Sequence, residues 1–270
     1  MREKKQALGI MKKLSVIVIT KNEEENIRAC LESVRQADEI VVVDAESTDR
    51  TRAICHEFTD KIYIRAWDGF AAQKQFALDQ ATHEWVLSLD ADERVRPELW
   101  QEILILLKGG TDFDGFRIAR RSYFMGKWMR YGGWYPGYQV RLFRRNRTGL
   151  SSARVHEGFL VEGRIGTLTQ DLDHFSHPTL FHSLEKLNRY STLEALDRLD
   201  RKRVRPSHFI THPLSAFLHK FIVQRAFLDG FYGFLLSWIS ALVKMALYMK
   251  IWYYQQLPAE TLQQRQKEMV

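Results

Sequence analysis

Residues Ser88 to Glu93 read Ser-Leu-Asp-Ala-Asp-Glu, so two carboxylates, Asp90 and Asp92, stand one residue apart just after the apolar run Trp85-Val-Leu87. The run reads as a buried strand, and alternate side chains of a strand share one side. Extended geometry through residue 92 would aim both carboxylates at one point. Two like charges at the mouth of a sheet are costly unless a positive group stands between them. A divalent cation, itself carrying a phosphate, is the usual partner.

Other polar groups close apolar runs in the same way. Leu14–Thr20 and Glu39–Asp44 are β-branched and apolar, the pattern of parallel strands buried on both faces. Thr20-Lys21-Asn22-Glu23 ends the first and opens a helix whose apolar positions, Ile27, Cys30, Leu31 and Val34, keep helical spacing. Asp44 ends the second, and Ser47-Thr48-Asp49 follows as a tight turn and helix cap. Helices are predicted over 51–58, 73–81 and 97–107, the last opened by Pro97. Strands are predicted over 61–66 and 85–90. This βαβαβαβ order predicts an α/β fold, a mostly parallel sheet with helices on both faces and ligands at the carboxyl ends of its strands. Thr20, Asn22, Asp44 and Asp90 all stand at such ends and outline one crevice.

After Gly109-Gly110 the pattern changes. Strands are predicted over 115–119 and 139–144, a hairpin over 158–168 and an amphipathic helix over 183–203. The expected division is an N-terminal extension (1–13), a sheet domain (14–182) and a helical C-terminal region (183–270).

The 270 residues, 45% of them hydrophobic, suffice for one large domain with an appendage. The net charge of +7 is unevenly placed: between Arg117 and Arg154 lie ten basic residues and no Asp or Glu. That stretch predicts an anionic partner. Nucleic acid is not expected, since no recognition helix or RNA-binding signature accompanies the charge. Cys30 and Cys55 read as ordinary thiols of a reducing compartment. The basic first 13 residues lack the apolar core of an export signal, so a cytoplasmic protein is expected. From Phe209 to Tyr254 the chain is dense in large apolar and aromatic residues. The uncharged run 230–243 is shorter than the ~20 residues that span a bilayer. With Lys220, Arg225, Lys244 and Lys250 around it, the tail reads as amphipathic helices on an anionic membrane surface. Helices packed on the domain or in a dimer are the alternative.

Leu14-Ser-Val-Ile-Val-Ile-Thr-Lys-Asn-Glu23, Val41-Val-Val-Asp-Ala-Glu-Ser-Thr-Asp-Arg-Thr51 and Leu87-Ser-Leu-Asp-Ala-Asp92, in this order, resemble the family-2 glycosyltransferases of GT-A fold, from residue 14 to about residue 120. Within that family the chain is similar to the lipopolysaccharide inner-core enzymes that resemble heptose β-1,4-glucosyltransferases. The narrower likeness rests on Tyr135-Pro136, Gln139-Val-Arg-Leu-Phe-Arg-Arg145, Val155-His-Glu157, His174 and Phe227-Leu-Asp-Gly-Phe-Tyr-Gly-Phe234. Gly137 departs from it, standing where Asp is expected.

The resemblance implies an inverting transfer of a hexose, glucose from UDP-glucose first among the donors. The implied acceptor is a lipopolysaccharide core or other glycolipid at the cytoplasmic face of the membrane. Thr20, Asn22, Glu23 and Asp44 are then expected to hold the nucleoside, with Lys74 either in the donor region or a solvated helix lysine. A divalent cation, Mg²⁺ or Mn²⁺, is expected on Asp92 with Asp90 nearby; Asp90 serving the ribose or sugar is the other reading. His174 either completes an aspartate–histidine metal site or is structural, and His177 and His182 follow it in a loose cluster. Glu157 is assigned as the base for the acceptor hydroxyl, against a structural ion pair with an Arg. Arg141, Arg144 and Arg145 are candidates for phosphate or acceptor contact. If 139–144 is a strand, Arg141 and Arg145 share one face and Arg144 takes the other. Trp134 and Tyr135 either stack on a sugar or anchor their Gly-flanked loop. A polyprenyl-phosphate or other cell-envelope glycosyltransferase is the rival enzyme, and a catalytically silent nucleotide-sugar-binding scaffold the rival of another class.

Overall fold

The run Leu-Ser-Val-Ile-Val-Ile-Thr forms β1 (Leu14–Thr20), buried along its whole length, in the computed structural model, which describes residues 12–150, 158–199 and 203–258. A strand covered on both faces cannot alternate apolar with polar residues, hence the continuous run. There follow α1 (Ile27–Ser33), β2 (Glu39–Asp44), α2 (Thr51–Cys55), β3 (Ile62–Ile64), α3 (Phe70–Gln80), β4 (Trp85–Asp90), β5 (Glu93–Val95) and α4 (Pro97–Gly109). Shorter strands come next: β6 (Gly115–Ile118), β7 (Arg120–Phe124), β8 (Lys127–Trp128), β9 (Gln139–Arg144), β10 (Thr148–Leu150), β11 (Phe159–Val161), β12 (Ile165–Thr167) and β13 (Leu172–His177). Three long helices close the chain: α5 (Leu180–Arg198), α6 (His208–Leu218) and α7 (Phe231–Gln256).

The described chain forms two compact units, residues 12–121 with 137–174, and residues 122–136 with 175–258. The aromatic loop 122–136 groups with the helices.

In the first unit the sheet order is β12-β6-β9-β4-β1-β2-β3. β1, β2, β3 and β4 run parallel, and β9 lies antiparallel between β4 and β6. Strand alternation divides the core. Val16, Val18, Val42, Leu87 and Leu89 meet Ile27 and Leu31 of α1 and Leu99 and Ile103 of α4. Ile17, Ile19, Val41, Val43 and Val86 pack with Ala77 and Leu78 of α3 and with Phe143. Each such side chain contributes about 1.5–3 kcal/mol on full burial. The order runs outward from β1 through β2 to β3 on one side and to β4 on the other. The chain therefore reverses direction of growth between β1 and β4, the place where such sheets open a crevice.

No hairpin forms over 158–168. β11 pairs antiparallel with β10, and β12 pairs parallel with β6. The turn between them passes through Gly163 at φ 124°, where a Cβ would stand 2.1 Å from the Asp114 carboxylate. That carboxylate accepts the Arg164 N–H at 3.1 Å, so the two segments separate to different partners.

Cys30 and Cys55 are buried free thiols. Burial pushes Cys55 up to about 12 and Cys30 well above its usual value, so neither ionises at neutral pH.

In the second unit, Asp229 is 4% exposed. Its carboxylate accepts the N–H groups of Arg130 and Tyr131 at 3.1 and 2.9 Å, and its carbonyl accepts Lys127 Nζ at 2.6 Å. The loop is thereby fastened to the turn before α7. Gly233 lies against the same turn: a Cβ there would stand 1.7 Å from the Ala226 carbonyl oxygen. α7 continues past residue 243 through Lys244 and Lys250 without a break. Lys244 Nζ meets Glu194 of α5 at 3.1 Å, and Lys250 Nζ donates to Asn188, Ser191 and Thr192 of α5. Both lysines are thus accommodated within the helix pair. By length and composition α7 is apolar enough to cross a membrane, and it is consistent with membrane association.

One carboxylate ties the amino ends of the central strands. Glu39 accepts from the Ser15 hydroxyl, the Lys61 ammonium, and the Thr82 N–H and hydroxyl at 2.8 and 2.9 Å. Burial opposes its ionisation, but Lys61, Ser15 and Thr82 outweigh this and pull it from 4.5 to about 2. The resulting stability is fully present above the unfolded value and is lost as pH falls toward the folded one. Glu39→Gln should therefore flatten the fall in unfolding free energy from pH 4.5 to about 2, measured by urea titration at each pH. A fall as steep as that of the wild type would reject the role.

Candidate active site

Register brings the polar strand ends level. Thr20 of β1 stands opposite Asp44 of β2, and Ile19 opposite Asp90 of β4. Thr20 is 5% exposed and Asp44 fully buried. Asp44 Oδ1 accepts the Ser47 N–H at 2.8 Å, with Arg52 Nε 3.9 Å away. Thr20 Oγ1 and Asp44 Oδ2 are buried without a hydrogen-bond partner among the described residues. A buried polar atom left in this state costs roughly 1–3 kcal/mol. Two of them side by side at a sheet mouth are suited to a polar ligand.

The loops after β1 and β2 hold each other in place. Asn22, at φ 52°, donates its N–H to the Ser47 hydroxyl and accepts the Thr48 N–H on its side-chain oxygen, both at 2.8 Å. The Glu23 N–H reaches Thr51 Oγ1 at 2.8 Å, and the Glu24 N–H reaches Asp49 at 3.1 Å. Asn22 oxygen is therefore occupied in fixing the loop. The Glu23 carboxylate accepts from Asn26 Nδ2 at 2.8 Å. Of the four residues expected to hold the nucleoside, Thr20 and Asp44 carry buried polar atoms without a hydrogen-bond partner among the described residues, and Asn22 and Glu23 bond across the loops.

The two aspartates have different ion-pair partners. β4 ends at Asp90, and Ala91-Asp92 turns because the Glu93 carboxylate accepts the Asp90 N–H at 3.0 Å. Asp90 instead meets two cations: Oδ1 lies 2.9 Å from Lys74 Nζ and Oδ2 accepts from Arg141 at 2.5 Å. Burial works against its charge, but Arg141 and then Lys74 hold the carboxyl well below the usual carboxylate range. The positive partner that sequence reasoning sought in a metal is supplied to Asp90 by side chains. Both its oxygens thus face cationic side chains.

Asp92 has a different neighbour. Its Oδ2 lies 3.5 Å from His174 Nε2, with side-chain exposures of 16% and 15%. Among the described residues no three His, Cys, Asp or Glu side chains gather as a metal cage. A carboxylate oxygen facing an imidazole nitrogen does fit Mg²⁺ or Mn²⁺ as a two-donor site, the other positions falling to diphosphate oxygens and water.

Lys74 reaches Asp90 from α3, which is held by Gln73. That side chain, 1% exposed, donates to the carbonyls of Arg65 and Ala66 at 3.2 and 2.9 Å. Arg141 is 4% exposed and also binds Glu93 at 2.5 Å. It thus bridges the two carboxylates from a buried position. Arg144 stands opposite Trp85, at the far end of β4, where it pairs with Glu84 and lies over the Trp85 ring. Antiparallel pairing with β4 therefore takes it away from the crevice. Arg145 opens a separate short helical turn after β9, so it does not share a strand face with Arg141.

In the second unit Trp134 packs on Phe124 and His177 as a loop anchor, and Tyr135 meets Trp128 edge-on. His177 Nδ1 lies 3.0 Å from Ser183 Oγ, and the His182 N–H caps onto Thr179. Glu157 lies outside the described residues. The residue that sequence reasoning passed over is Glu93, fully buried and bound to Arg141, with Arg120 3.5 Å away. Its signal was an acidic residue directly after Asp92, at the end of the Ser88–Glu93 run.

Removing the guanidinium would leave Asp90 and Glu93 facing each other. Arg141→Met should destabilise the fold by about 3–5 kcal/mol in urea unfolding. Arg141→Met with Glu93→Gln should recover part of that loss; no recovery would mean that Glu93 is not coupled to Arg141.

The model of the family described as Glycosyl transferase family 2 matches residues 15–162. Lipopolysaccharide core biosynthesis glycosyltransferase LpsC of Rhizobium meliloti (strain 1021) is 33% identical over 247 residues, 88% of this chain and 92% of that protein. An uncharacterized glycosyltransferase of Rickettsia felis is 28% identical over 254 residues, 89% of this chain and 90% of its own. The crystal structure of S. aureus TarS 1–349 in complex with UDP-GlcNAc overlaps 95% of this chain and 92% of that one, at TM-score 0.45 and 18% identity. With its strand ends, crevice and matched segment in agreement, the chain belongs to glycosyltransferase family 2 and has the GT-A-like nucleotide-sugar-binding fold.

Proposed function

We propose that this glycosyltransferase moves a hexose, glucose from UDP-glucose first, onto a lipopolysaccharide inner-core acceptor at the cytoplasmic face of a membrane. The observation that carries the donor site is the pair of unsatisfied buried atoms, Thr20 Oγ1 and Asp44 Oδ2, at the sheet's reversal point. A nucleoside with its ring N–H and ribose hydroxyls would satisfy both. Asp90, kept ionised by Arg141 and Lys74, adds an acceptor for sugar or ribose hydroxyls. Lys74 brings a positive charge to the same edge. The name of the Rhizobium meliloti relative supports a lipopolysaccharide core acceptor.

Glu157 takes the proton of the acceptor hydroxyl. The freed oxygen bonds to the anomeric carbon as the bond from that carbon to the diphosphate oxygen breaks, and the nucleoside diphosphate leaves. A single displacement inverts the anomeric centre. Asp92 and His174 would hold a divalent cation, Mg²⁺ or Mn²⁺, which when bound supplies charge neutralisation for the diphosphate.

Four outcomes test this reading. A thermal-shift series of nucleotide sugars with Mg²⁺ or Mn²⁺ should show stabilisation by a UDP-hexose, through binding linkage. Asp44→Asn should reduce that stabilisation; an unchanged shift would remove Asp44 from the donor site. Glu157→Gln should keep donor stabilisation and lose transfer by about 10²–10⁴-fold, as expected for a general base. Transfer at the wild-type rate would place the base elsewhere. Asp92→Ala should abolish the dependence of turnover on added cation, which a titration of Mn²⁺ against rate would read.

A further inference from the structure

One stripe of α7 runs uncovered along the helix. Phe231, Phe234, Trp238, Leu242, Met245 and Met249, three or four residues apart, are 37–69% exposed. The stripe is ~27 Å long at 1.5 Å per residue. α6 and the turn after it broaden the surface. Phe217 and Phe221 pack on Phe234, and Phe217 on Trp238 at 5.2 Å between ring centres. Beside them Leu214, Leu218, Ile222 and Val223 are 41–67% exposed. An apolar face this broad on one helical unit marks an interaction surface.

We propose that this α6–α7 face lies flat in one leaflet of an anionic lipid bilayer, and that α7, long enough to cross it, does not. The proposal rests on the membrane-face reading above and gives it an orientation. Charge selects lipid as the occupant. Of the basic residues in 203–258, Arg203, Arg205 and Arg225 stand exposed, and the one acidic residue of the segment is Asp229. Asp229 is buried and bonded to the amides of residues 130 and 131, so no carboxylate stands exposed in this segment. Anionic headgroups complement such a surface, whereas a second copy would set like charge against like.

The packing of α5 decides against crossing. Lys244 and Lys250 are bound to α5, and Leu247, Ile251 and Tyr254 pack with Ala195 and Leu199. A crossing α7 would take α5 with it, and α5 exposes Glu185, Arg189, Asp197 and Arg198. An Asp or Arg at the bilayer centre costs about 2.5–3.5 kcal/mol. Lying in the plane buries the stripe and leaves those charges in water.

The full-length protein, carrying Phe231→Cys, Leu242→Cys or Met249→Cys labelled with a small fluorophore, tests the orientation. Each variant is mixed with phosphatidylglycerol–phosphatidylcholine vesicles containing lipids spin-labelled near the headgroup or deep in the chain. All three positions should be quenched by the shallow label to a similar extent. Strong quenching of the Leu242→Cys site by the deep label alone would mean that α7 crosses. The double substitution Trp238→Glu with Leu242→Glu should lower the vesicle partition coefficient more than about tenfold. It should leave stabilisation by UDP-glucose unchanged. Absence of vesicle binding by the wild type, with a dimer that the double substitution dissociates in light scattering, would assign the face to a second copy and overturn the proposal. Intact vesicle binding without a UDP-sugar thermal shift would instead count against the donor reading alone.

Discussion

The mouth of the sheet depends on one guanidinium. Arg141, carried on β9, sits between the carboxylates of Asp90 and Glu93 at 2.5 Å from each. Ion pairs this deeply buried add little over well-packed apolar side chains, but breaking one strands an unpaired charge. The contact therefore acts mainly as a constraint. It requires β9 to lie beside β4, requires the turn at Ala91-Asp92, and fixes where β5 begins. β5 pairs with β13 from Glu93 opposite His174. The same clamp thus sets the place at which Asp92 and His174 face one another.

Around that clamp the polar groups fall into two kinds. Asn22, Ser47, Asp49 and Thr51 bond across the two loops after β1 and β2, leaving the loops rigid. Thr20 Oγ1 and Asp44 Oδ2 keep unused capacity in a buried setting. A site that holds its walls by internal bonds and keeps a few polar atoms unsatisfied is organised before its ligand arrives. The electrostatics follow the same division: Asp90 is an anion secured by two cations, while Asp92 lies against the His174 imidazole.

The second unit solves another problem with similar means. Asp229 gives its carboxylate to the amides of the loop 122–136, and Lys244 and Lys250 give their charges to α5. With its polar groups turned inward, the unit is left with an apolar, aromatic outer face on α6 and α7. The amphipathic character that the tail shows in sequence becomes an orientation only through these bonds.

The strands at the centre were legible because burial on both faces demands continuous β-branched runs, and the helices covering them because apolar spacing repeats with the helical turn. β1, β2 and β4 begin and end where those patterns do. Thr20, Asp44 and Asp90 were legible for a related reason: a polar residue that closes an apolar run has to stand at a strand end. The partners of Asp90 were not, because they are the Glu93 carboxylate, which accepts its N–H, and a cation from a strand 51 residues away in sequence. Arg141 and Arg144 look alike in the chain. Antiparallel pairing with β4 buries one beside Asp90 and sets the other against Trp85 at the opposite end. Local pattern determined which residues form strands and which polar groups end them. Which charges meet was decided only by the tertiary structure, because strand order and register place distant side chains within bonding distance, and neither is written in local spacing.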